Sequence, residues 1–134
     1  TGYPQLHARV QEATVSEVGV VDSYLFYIEG NATTAVIART HGAQVLNDLV
    51  DVTLTPNMVV GERYRLRFKV QGADPVSLDG IIEHFVSPNW MSIGEATFVH
   101  SDALRIDGPG TVGFSGSQDD TDPYIYDNFT ESPL

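Results

Sequence analysis

The sequence contains no cysteine, only one lysine (Lys69) among its seven cations, and no apolar run approaching about 18 residues. The first absence removes disulfides, thiolate metal sites and cysteine nucleophiles, and leaves the redox compartment open. The last gives no reason to expect a transmembrane helix or the apolar core of a secretory leader. Motifs of hydrolytic chemistry are missing too. There is no G-x-S-x-G elbow, and His7, His41, His84 and His100 stand apart, without the H-x-H or H-x-x-x-H spacing that zinc requires. Positive charge is scarce, and the formal net charge is -11. Such a surface repels nucleic acid and anionic membrane, so neither is expected as a partner. The bias toward arginine fits a GC-rich or a salt-adapted genome.

What is present is alternation. At 134 residues the chain has room for one domain with a real core, read here as a module over 1–129 followed by a tail or linker over 130–134. The segment "RYRLRFKV" places Tyr64, Leu66, Phe68 and Val70 on one face and Arg63, Arg65, Arg67 and Lys69 on the other. Side chains of a strand point alternately to opposite faces, so this is a half-buried strand. After the turn "QGADPV" the pattern resumes in "SLDGIIEHF". In a hairpin of these two, Leu78 and Ile82 join the apolar face, while Asp79 and Glu83 fall among the arginines.

Further strands are predicted over 5–10, 22–29, 34–39, 50–55, 96–99, 110–114 and 123–129, with a single helical turn as an option over 43–49. Turn residues at Gly30-Asn31, His41-Gly42, Pro56-Asn57 and Asp107 to Gly110 punctuate them. So many short strands imply an all-β, antiparallel two-sheet sandwich or a barrel.

From about residue 50 onward, "VVGERYRLRFKVQG", "LDGIIEHF", a loop bearing Trp90, "PGTVGF" and "YDNF" follow in an order that resembles the concanavalin A-like (laminin-G-like) jelly roll; upstream, "HARV" and "SYLFYIEG" resemble its middle strands. The resemblance implies a jelly-roll sandwich of the kind found in secreted glycan-binding proteins and in minor tail proteins of phages infecting actinobacteria. It also implies a first strand, beside the closing "DNF", that this sequence lacks. The chain, which starts at Thr1 without methionine, is therefore expected to be a later part of a module or to borrow a strand.

Sugar-cleaving members of that family carry "E-x-D-x-x-E" along one strand, and this pattern is absent. A fold alone supplies no activity, so the expectation is a non-catalytic module of a virion tail or extracellular assembly, touching other chains and a cell-surface glycan. A purely structural subunit-interaction domain and an accessory fragment of a glycan-degrading enzyme are the alternatives.

Three candidate sites accompany this reading. Trp90, with Asn89 beside it, offers an aromatic platform and a polar group for a sugar, against the alternative that the indole closes the core. Arg63, Arg65, Arg67 and Lys69 form a cationic row suited to an anionic glycan or an acidic chain, against simple pairing with Asp79 and Glu83. Asp119, Asp120 and Asp122 offer the hard oxygens calcium prefers, although a solvated acidic turn explains them more simply.

Overall fold

A computed structural model describes residues 4–11, 22–29, 31–41, 44–108 and 110–116. They form β1 (Pro4–Val10), β2 (Asp22–Ile28), β3 (Thr34–His41), β4 (Gln44–Thr53), β5 (Tyr64–Gln71), β6 (Val76–Val86), β7 (Asn89–His100) and β8 (Thr111–Gly116), with no helix among the described residues. A five-stranded sheet runs β4-β3-β2-β1-β8, and a three-stranded sheet runs β5-β6-β7. Every pairing is antiparallel. The fold is thus all-β, with two sheets facing one another.

Alternation is what makes the two sheets pack. Tyr24, Phe26 and Ile28 of β2 meet Val70 of β5 and Val76, Leu78 and Ile82 of β6 in one core, with Tyr64, Leu66 and Phe68 packed against it. The apolar face expected of β5 is therefore the inner one. Each fully buried Phe or Ile side chain contributes about 1.5–3 kcal/mol over its exposed state. The sheets close tightly at Gly80, where a Cβ would lie 2.7 Å from the Phe26 ring. Phe26 in turn rests 5.6 Å from Phe68, centroid to centroid. A backbone bond from Thr55 N–H to the Ile93 carbonyl (2.8 Å) ties the exit of β4 to β7 across the layers.

Two expectations change. The segment 43–49 is not a helical turn: strand β4 begins at Gln44, pairs along β3, and packs Leu49, Val50 and Val52 against the core. The spacing of its apolar residues suits either structure, and the unpaired edge of β3 decides the matter. Trp90 does not sit in a loop, because β7 begins at Asn89 and only Ser87 and Pro88 make the turn from β6. The predicted strand over 123–129, the acidic loop with Asp119, Asp120 and Asp122, and the tail 130–134 lie outside the described residues.

The segment after β7 is held down by polar groups. Tyr24, wholly buried, accepts a hydrogen bond from the Ile106 N–H (2.9 Å) and shares another with Nδ1 of His100 (2.8 Å). The other ring nitrogen of His100 meets Asp102 Oδ1 at 2.8 Å. An Nε2-protonated imidazole satisfies both contacts, with the tyrosine donating to Nδ1. Burial pushes the Tyr24 phenol above its ordinary pKa. The Leu104 N–H, first, and then His100 and Arg105 hold Asp102 below the usual carboxylate range.

Three arginines complete the latch. Arg9 sits in the left-handed region (φ 51°) at an irregularity of β1, and its guanidinium donates to the carbonyls of Ile106 (2.6 Å) and Gly72. Arg39 donates to the Leu104 carbonyl (2.9 Å) and pairs with Asp22 (3.0 Å). Arg105 donates to the Ala73 carbonyl (3.2 Å) and pairs with Asp74 (3.1 Å).

Candidate functional site on the outer face of the second sheet

The register of β5, β6 and β7 decides which side chains share the solvent-side face of the three-stranded sheet. Arg65 lies opposite Glu83, Arg67 opposite Ile81, and Lys69 opposite Asp79. On the other flank of β6, Phe85 faces Trp90, Glu83 faces Ser92, and Ile81 faces Glu95. Ile93 is an extra residue on β7, at a register shift between Ile82 and Glu83, and its side chain turns into the core. The strand beyond this bulge brings Trp90 onto the same face as the arginines.

Trp90 accordingly takes no part in the core, contrary to one of the two readings of its sequence. It packs against Phe85 with ring centroids 5.1 Å apart. The Arg65 guanidinium lies 4.4 Å from the Trp90 centroid, and that of Arg63 lies 5.7 Å from Trp90 and 5.6 Å from Phe85. Backbone pairing fixes Arg63 there, since its carbonyl accepts the Phe85 N–H at 2.9 Å just ahead of β5. Asn89 is exposed at the start of β7, opposite Val86.

Below the aromatic pair lies a nearly buried carboxylate. Glu83 receives Arg65 Nε at 2.7 Å and Arg67 Nε at 3.1 Å, and Arg67 Nη2 reaches its second oxygen at 3.2 Å. The bond from Arg65, foremost, and the charge of Arg67 hold Glu83 below the usual carboxylate range. The pairing expected of the cationic row is therefore real for Arg65 and Arg67. Among the described residues no carboxylate pairs with Arg63, nor with Lys69. Further along the face, a hydrogen bond shared with Asp79 pushes Glu95 above its ordinary value. Asp79 Oδ1 is itself buried without a hydrogen-bond partner among the described residues.

His84, Glu83's neighbour in sequence, points to the opposite face, stacks on Tyr64 at 4.8 Å and meets Glu62 at 3.2 Å. The two cannot act on one substrate atom. Among the described residues, no three His, Cys, Asp or Glu side chains cluster closely enough to hold a metal ion.

Sequence reasoning treated Trp90 and the arginine row as separate candidates, and the fold joins them. It missed Phe85, which lines the indole and Arg63. The signal was present, for Ile81, Glu83 and Phe85 continue the same period of two that exposed the arginines. No family model, curated protein or solved structure matches the chain.

Proposed function

We propose that this protein is a non-catalytic jelly-roll module of an extracellular or virion-tail assembly, and that it adheres to a cell-surface glycan through the outer face of β5, β6 and β7. The observation that carries the reading is the joining of Trp90, Phe85 and the arginine row on one solvent-side sheet face. Sugar sites combine aromatic surface with a few fixed polar groups, and this face supplies both on rigid strands. The jelly-roll reading draws support from β8, which follows the three strands of the second sheet yet lies beside β1 in the first. A non-catalytic role accords with Glu83, whose carboxylate is already engaged by two guanidinium groups.

The test is a glycan array probed with the labelled chain and with Trp90→Ala. Retention on a restricted set of glycans, lost in the variant, is the expected result. A blank array for the parent chain would overturn adhesion and leave a structural role.

A further inference from the structure

We propose that the sugar read by this face carries a carboxylate, and that Arg63 is the residue that reads it. The proposal rests on the glycan-binding reading and narrows it to acidic sugars. Arg65 and Arg67 converge on one carboxylate, Glu83, and are held by it. Arg63 is different. Its position is set by Phe85 and Trp90, at 5.6 and 5.7 Å, and by no carboxylate among the described residues. An aromatic face attracts a cation through its quadrupole but accepts few of its N–H bonds and cancels none of its charge. Arg63 is thus an oriented guanidinium with its donors available at the rim of an apolar surface. The fork of a guanidinium matches a planar carboxylate with two parallel hydrogen bonds.

The neutral alternative fits less well. Arg65 stands 4.4 Å from the centre of the Trp90 ring, where a neutral pyranose would have to stack. An acid-bearing sugar can leave that contact intact, placing its carboxylate on Arg63 and its C–H groups against the flank of Phe85 and Trp90. Charge complementarity points the same way: a chain of net charge -11 keeps Arg63, Arg65, Arg67 and Lys69, four of its seven cations, in this one row. The same net charge opposes densely charged polyanions, so single acid groups on short glycans are favoured.

Titration calorimetry with a tetrasaccharide bearing a single uronic acid, its methyl ester, a neutral tetrasaccharide and tetraglutamate separates the outcomes. The acidic sugar is expected to bind at least about tenfold more tightly than its ester, and Arg63→Gln to bring it down to the level of the ester, because one charge-assisted bidentate pair is lost. Thermal melting of Arg63→Gln should match the parent, so that lost binding is not lost folding. Equal binding of acid and ester, indifferent to Arg63→Gln, would overturn the proposal while the glycan reading survived. Tetraglutamate binding as tightly as the sugar, with the same sensitivity to Arg63→Gln, would overturn it in favour of an acidic polypeptide. No binding by any of the four probes would overturn it as well, and the array would then decide the broader reading.

Discussion

Six arginines divide into two groups of three. Arg9, Arg39 and Arg105 reach across the fold to backbone carbonyls of the turn after β5 and of the segment after β7. Arg63, Arg65 and Arg67 lie along one strand and meet aromatic faces and a single carboxylate. The Arg39 side chain is 9% exposed and that of Arg67 is 56% exposed. The first group ties down carbonyls of two chain segments, that of the buried Ile106 among them, and it holds the shape of the loop end. The second group could be returned to water at little cost, which is what a surface available to a ligand requires. Identical chemistry serves stability in one place and, on the proposed reading, recognition in the other, and burial makes the difference.

Substituting methionine in each group breaks the comparison most directly. Arg39→Met leaves the Leu104 and Thr40 carbonyls without this donor and Asp22 with only His41 beside it, and should destabilise by about 3 kcal/mol in urea titrations. Arg67→Met keeps most of the aliphatic stem, and Arg65 still engages Glu83, so a loss of no more than about 0.5 kcal/mol is expected. Equal losses would dissolve the distinction.

Glu83→Gln sharpens it through pH. The folded-state pKa of Glu83 lies below its unfolded value, so its contribution is complete above the ordinary glutamate range and vanishes as pH falls through the folded value. The guanidinium partners are 41% and 56% exposed, and solvent screening limits the effect to less than about 1 kcal/mol. The variant should therefore be slightly less stable than the parent at pH 7, and the gap should close in acid. A gap that widens on acidification would mean that the arginines do not stabilise the carboxylate.

Local periodicity was legible in the sequence, and distant geometry was not. The faces of the β5–β6 hairpin could be read from the alternation of Tyr64 to Val70 and Leu78 to Ile82, whereas its exact register, with Arg65 opposite Glu83, came only with the pairing itself. Trp90 was harder. "SPNW" contains three turn-favouring residues, yet the turn uses only Ser87 and Pro88 before pairing resumes, and the bulge at Ile93 resets the faces of β7. The latch left no local trace at all. Arg9 and Ile106 are 97 positions apart, and nothing in the neighbourhood of either residue encodes the contact.

The acidic end of the same sheet face gives the smallest effect and the opposite sign. The neighbouring Asp79 carboxyl, through hydrogen bonding first and charge repulsion second, raises the pKa of Glu95. A carboxyl whose folded pKa is raised favours the folded state most below its unfolded value, and this advantage is lost as pH rises through the folded value. At pH 7 the pair therefore opposes folding, where Glu83 supports it. Glu95→Gln removes the repulsion and keeps a side chain that can donate to Asp79, whose Oδ1 is otherwise without a partner among the described residues. A small rise in melting temperature at pH 7, absent in acid, is the expected outcome of calorimetric scans at the two pH values. A melting temperature lowered at pH 7 would show that Glu95 stabilises this end of the face as an anion, and that the sheet carries no such division between its aromatic, arginine-bearing corner and its acidic one.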